Sequence, residues 1–254
     1  MPSAFGKISA LPNMTVVDGN WWGSMVCFDG VDTLNYRRAD AFLVGGGEAS
    51  DPLYLAFSML GAVAQGDQKE GIHPGEGASY VCVERLDDAK ARGARVEAQI
   101  VGYGTSFMAP SSPAVIVSAS PESLERAIGA ALDDAGVTAE DVDVVAGSAS
   151  GLSRFDAAEH EAIFLECSVT PVAVAAPKRL DGGLCASGAF GIATAFGWRW
   201  CTRRPAGSGQ RPGTGSHGAH HHPRDYGNVS AVVIKSGGVS SLEAQRRIRM
   251  DPDS

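Results

Sequence analysis

GEGASYVCVERLDDAKARGARVEAQIVGYGTS, residues Gly75 to Ser106, decides the fold. Ser79 to Glu84 and Ala98 to Tyr103 are short runs rich in β-branched and aromatic residues, which predicts two strands. Between them Asp87 to Arg92 are helix formers, but Gly93 stops them after about a turn and a half, so they read as a short connector. Outward from this unit the chain alternates in the same way. Further strands are predicted at Met14 to Val17, Ala41 to Val44, Val142 to Ala146, Val172 to Ala175 and Ser230 to Ile234. The clearest helix runs from Pro121 to Ala135, with Ser120 as N-cap, Pro121 in the first position, Leu124, Ile128, Ala131, Leu132 and Ala135 on one face, and Gly136 as its stop. A second helix is expected over Ala157 to Leu165. A third follows Gly182 through the small-residue run Ala186 to Ala195, with almost no polar face, and is expected to be buried. Interleaved strands and helices predict an α/β fold with mixed sheets.

The chain has 254 residues, 44% of them hydrophobic, enough for one substantial core and too apolar for disorder. Its 29 acidic and 21 basic side chains leave a net charge of -8, and no basic patch interleaved with aromatics offsets it, so neither nucleic acid nor an anionic membrane is an expected partner. The five cysteines are scattered without a CxxC pair, as reduced buried thiols are, and no signal peptide or long apolar run is evident. A soluble, cytoplasmic protein is expected. Residues 203–223 (RRPAGSGQRPGTGSHGAHHHP) are low in complexity and predict a mobile loop, and 239–254 a tail. His217 and the triplet His220, His221 and His222 are metal-ligand types, but on a flexible loop they lack fixed geometry. No metal site and no cofactor are expected.

The Gly75 to Ser106 stretch resembles the β-ketoacyl synthases of fatty acid and polyketide assembly, which carry a GEGA turn, an apolar strand and an ARG-containing turn into the next strand. In the family's order follow RADAFLVGGGEAS (Arg38 to Ser50), SPESLERAIGAALDDAGVTAEDVDVV (Ser120 to Val145), DAAEHEAI (Asp156 to Ile163) and Lys178 with its glycine-rich continuation. The likeness runs over about residues 13 to 238. It implies the thiolase-like fold, two similar α/β halves. The segment ahead of the family's nucleophile strand is much shorter here, so the resemblance implies a truncated first half and a complete second half in a single domain over 1–254. It also implies that Gly45-Gly46-Gly47 form a structural turn, not a phosphate cradle, since no Lys-Ser/Thr follows them.

A ketosynthase needs a Cys for the acyl thioester, two His for decarboxylation and oxyanion stabilisation, and a supporting Lys. By alignment with the family, Asn20 stands at the Cys position, Ser148 at the first His and Gly183 at the second, while Lys178 remains. A carboxamide forms no thioester, so Claisen condensation by this chain alone is not expected. Asn20 without histidines is no decarboxylase either. The resemblance points instead to a chain-length-factor-like accessory subunit of type II polyketide or fatty acid biosynthesis. Its implied partners are a ketosynthase or a second copy, joined through the strand Met14 to Val17, with an acyl carrier protein as a further contact.

The alternative is a repurposed enzyme that cyclises, isomerises, dehydrates or hydrolyses an acyl intermediate, with Asp18 as its least poor acid or base. Trp21 and Trp22 either wall a chain-binding pocket or cover an open surface. Cys185 sits among small residues and reads as a packing thiol before a replacement nucleophile. Ser148 and Ser150 have no histidine base within sequence reach. His73 and His160 lack a carboxylate at catalytic spacing and read as satisfied or solvent-facing.

Overall fold

The computed structural model describes residues 31, 34–37, 39–48, 51–64, 70–109, 120–149, 151–167, 172–176, 178–179, 191–192, 217–223 and 228–236. Two sheets organise them. In the first, β1 (Ala41–Glu48) pairs antiparallel with β2 (Gly77–Glu84) over the full length of both. Along β2, Ala78, Tyr80 and Cys82 are exposed while Val81 and Val83 alternate inward, the period of two expected of a strand with one covered face. Gly45-Gly46-Gly47 do not turn as the resemblance implied. They extend β1 opposite Tyr80, Ser79 and Ala78, and at Gly45 a Cβ would sit 2.1 Å from the Ser79 carbonyl oxygen. The glycine makes room for a neighbouring backbone.

Helix α1 (Asp51–Met59) follows β1, and α2 (Leu86–Ala91) follows β2. The α1 segment, DPLYLAFSM, has no polar stripe to mark it as amphipathic and escaped the sequence reading. Arg85, at the junction of β2 and α2, ties the sheet to the preceding segment. Its Nη1 donates to the carbonyls of Leu34 and Ala39, both at 2.8 Å, its Nη2 to Asp40 at 3.2 Å, and its Nε to Asp88. Arg92 closes the other end of α2 by a two-pronged pair with Glu84, which holds the Glu84 carboxyl below the usual range.

The second sheet has the order β3-β7-β6-β4-β5, with β3 (Ala98–Phe107), β4 (Val142–Ala146), β5 (Ala173–Ala175), β6 (His217–Pro223) and β7 (Asn228–Ser236). β7 runs antiparallel to both of its neighbours, β3 and β6, whereas β6, β4 and β5 run parallel. One face is covered by α3 (Pro121–Ala135) and α4 (Ser153–Cys167). Helix α3 has the predicted boundaries and caps: Ser120 Oγ accepts from the Ser123 amide, and Gly136 adopts the left-handed conformation at φ 65°. Its stripe Leu124, Ala127, Ile128, Ala131 and Leu132 is buried against Val142, Val145, Val229, Ala231 and Val233. Burial of each large aliphatic chain there is worth about 1.5–3 kcal/mol. On the opposite face Val232 and Ile234 pack with Val44 and Ile192.

Helix α3 lies almost on the backbone of β3. At Gly102 a Cβ would fall 2.2 Å from the Ala131 carbonyl oxygen, and at Gly104 one would fall 2.1 Å from that of Ala127. The two glycines of VGYGTS are therefore a flat track for the helix, a close approach that no larger residue allows.

Two further expectations are corrected. Residues 203–223 are not a loop throughout, because His217–Pro223 is β6, bonded along both edges between β4 and β7. Backbone pairing needs no hydrophobic pattern in the pairing strand, and the unpaired amides and carbonyls of two flanking strands supply the demand. Helix α4 begins at Ser153, four residues before the predicted start, because its N-terminus is bonded by a distant residue described below. The strand expected at Met14 to Val17, most of the helix expected after Gly182, and the tail 239–254 lie outside the described residues. No helix among the described residues is long and apolar enough to cross a membrane.

Candidate functional site

The C-terminal ends of the parallel strands β4 and β5 carry the two predicted site residues that the structure describes. Ala146 and Ala175 are register partners, and the Gly147 amide donates to the Ala175 carbonyl at 2.7 Å. Ser148 leaves β4 two residues beyond that pair, and Lys178 leaves β5 three residues beyond it. The topology therefore puts both at one edge, the usual place for a site in an α/β sheet. Ser148 is fully buried and Lys178 half-buried. Asp18, Asn20, Trp21, Trp22, Gly183 and Cys185 lie outside the described residues.

The segment joining β4 to α4 is pinned by carboxylates that the sequence reading left without a role. The Ser148 amide donates to Glu159 Oε1 at 2.6 Å, and Glu159 is itself buried, 2% exposed. Its other oxygen lies 3.0 Å from where a Gly147 Cβ would be, so the carboxylate rests flat on this turn. Gly151, at φ 103°, donates to Asp156 Oδ2 at 3.0 Å, and the same oxygen lies 4.0 Å from Arg179 Nη1. The Gly151 carbonyl accepts from the Gly71 amide at 2.9 Å. Glu70 accepts from both the amide and the hydroxyl of Ser153, acting as a long-range cap for α4, and these bonds hold its carboxyl below the ordinary glutamate range.

Asp156 and Glu159 are three apart on α4 and so share a helix face, a spacing visible in DAAEHEAI. The signal that they bind backbone amides was absent, because those amides belong to a loop placed only by the fold. Chemically the turn is a clamp. The Gly147, Ser148 and Gly151 amides each donate within the protein, the Ser148 amide being fastened by Glu159. His73 and His160 are exposed on the surface. Among the described residues no three His, Cys, Asp or Glu side chains are grouped as metal ligands.

Farther along α4, half-buried Glu166 packs over α3 at Gly129. Burial pushes its carboxyl up from the ordinary value, with Glu125 and Asp133 on α3 adding to the effect. A raised folded-state value means that the neutral form is favoured by folding. The group is harmless below the unfolded value and becomes a penalty as pH rises through the folded one. Glu166→Gln is expected to stabilise the protein at pH 7 by about 0.5 kcal/mol, the scale of like-charge helix pairs. The gain should vanish below the ordinary glutamate range in urea melts at matched pH. A variant less stable at pH 7 would contradict this.

Residues 97–197 match the β-ketoacyl synthase C-terminal domain, and the solved structures that the chain resembles include ketosynthases. The chain therefore shares the fold of the ketosynthases, and residues 97–197 are similar to their C-terminal domain. Its relatives make the likeness more particular. It is 36% identical to the tetracenomycin polyketide synthase ketoacyl synthase beta subunit of Streptomyces glaucescens, over 79% of this chain and 48% of that protein. It is 37% identical to 3-oxoacyl-(acyl-carrier-protein) synthase 2 of Staphylococcus aureus, over 41% of this chain and 28% of that one. The ishigamide ketosynthase/chain length factor superposes with a TM-score of 0.74 at 24% identity, covering 89% of this chain and 61% of that one. The chain thus spans about half the length of the first relative and less of the second.

Proposed function

We propose that this chain is a catalytically silent, chain-length-factor-like partner of an active ketosynthase in polyketide or fatty acid assembly. The observation that carries the reading is the β4 exit turn. Where alignment with the ketosynthases calls for a histidine, the chain has Ser148, buried, with its amide fastened to Glu159. The turn is thus kept as architecture while its bond-making group is gone. Asn20 and Gly183 at the other two positions, and the identity with a beta subunit, support the same conclusion. A protein that keeps the fold and loses the chemistry contributes surface and shape to an assembly. The partner is an active ketosynthase, met through the segment Met14 to Val17, for which the sequence predicts a strand, and an acyl carrier protein is the third component.

The test is light scattering of the full chain alone, with its co-encoded ketosynthase, and with carrier protein added. The expected result is a stable one-to-one complex with the ketosynthase, whose condensation products change in length when this chain is withheld. A homodimer that ignores the ketosynthase would overturn the proposal.

A further inference from the structure

The two sheets are not covered alike. Helices α3 and α4 lie over one face of the second sheet, and its other face meets Phe42, Val44, Val81 and Val83 of the first. Register partners share a face. The pairs Leu43 with Cys82, Gly45 with Tyr80 and Gly47 with Ala78 therefore lie on the outer face of β1 and β2. That face is open: Leu43, Ala78, Tyr80 and Cys82 are all exposed. Its glycines have the spacing of Gly102 and Gly104, the pair on which α3 lies. The Tyr80 ring leans across Gly45, with its Cδ1 2.6 Å from where a Cβ would be, and Gly47 and Ala78 leave the sheet low beyond it. Its one acid, Glu84 at the end of β2, is paired with Arg92. A flat, apolar, uncharged face is the kind on which this fold packs a helix elsewhere.

A helix of the matching kind begins three residues after β1 ends. On α1 only Phe57 is buried, against Val63 and Ile72, while Tyr54, Leu55 and Met59 are exposed, with Leu60 just beyond. Leu55 and Met59, four apart, are neighbours on the helix surface. A helix with so little polar surface is ordinarily a buried element. Three residues of chain span at most about 11 Å, so the uncovered helix adjoins the uncovered face. Within one chain each stays open: the six large apolar side chains of the two surfaces are 43–81% exposed. A second copy supplies both missing covers at once, α1 of each lying on the β1–β2 face of the other about a two-fold axis. Made twice, this contact buries on the order of 1,500 Å², the size of a stable interface.

We propose that the open face of β1 and β2 is a dimerisation surface whose occupant is helix α1 of a second copy of this chain. The contact uses neither the segment Met14 to Val17 nor the β4 exit turn, so it stands independently of the accessory-subunit reading.

The experiment is sedimentation equilibrium of the full chain alone, in which a reversible dimer is expected. L55E/M59E on the helix and L43K/Y80K on the face should each weaken it by at least about a hundredfold, because each buries charges without partners. Mixing the two variants should restore dimers, since one helix-on-face contact is then unaltered and the other opposes unlike charges. A wild type that stays monomeric, variants that still dimerise, or a mixture no better than its components would overturn the interface. Should a variant lose its circular dichroism, the wild type still decides the matter. Alkylation of Cys82, a free and exposed thiol on the face, should slow as rising protein concentration carries the chain into dimers. A rate independent of concentration refutes the contact. Ketosynthase takes no part in these measurements, so their failure is distinct from failure to bind it.

Discussion

Gly104→Val is expected to destabilise the protein by about 3 kcal/mol or more, the upper end of overpacking effects. The cost is steric and falls on backbone. A Cβ at residue 104 would lie 2.1 Å from the Ala127 carbonyl oxygen and 2.6 Å from the Ala131 nitrogen, neither of which can rotate away as a side-chain tip can. Helix α3 would have to lift from β3, loosening the Leu124, Ala127 and Ala131 stripe from the sheet. Thermal melts should show a drop of roughly 6–12 °C, given about 2–4 °C per kcal/mol for a domain of this size. Gly93→Ala is the matched control. Gly93 has φ 72°, but a Cβ there would meet nothing within 4 Å, so only backbone strain of about 1–2 kcal/mol is added. Equal losses at the two sites would show that the flat-track account of Gly104 is wrong.

The second large effect is expected from Glu159→Gln, at about 1.5–3 kcal/mol, the worth of a hydrogen bond to a charged group. Glutamine keeps the shape but not the charge that draws the Ser148 amide to 2.6 Å, and its amide nitrogen is a donor facing donors if it turns over. Because the bond fastens one turn, part of the loss should be local. Hydrogen exchange at Ser148 should quicken by about tenfold to a hundredfold. Glu161→Gln, on the exposed side of the same helix, should change neither stability nor exchange. Slow exchange retained at Ser148 in the Glu159 variant would assign the turn's rigidity to other bonds.

Much of the fold was legible because local physics and tertiary demand agree in those segments. Helix α3 carries its own N-cap, proline start, apolar stripe and glycine stop, so its limits are written in Ser120 to Gly136 and recur unchanged in the structure. β4 coincides with its predicted Val142 to Ala146. Strands β2, β3 and β7 were found and then extended at their ends, where glycine and polar residues pair as readily as valine once a neighbour is present. The start of α4 was missed because its cap is Glu70, 83 residues away in sequence from Ser153. Ser148 and Lys178 were placed through the family likeness. Glu159 and Asp156, which determine what the turn around Ser148 can do, stood in plain sight without a recognisable partner.

By itself the sequence determined the α/β class and the capped helix. These depend on residue identity and short spacing, which are properties of the chain before it folds. The tertiary structure alone decided that Gly102 and Gly104 would carry a helix on their backbone and that a glycine run would be strand. It decided too that a histidine-rich tract would become the interior strand β6, and that α4's carboxylates would clasp the exit of β4. Each of those outcomes turns on a backbone group of a distant segment. Its choice of partner is made by proximity, which no side-chain pattern encodes.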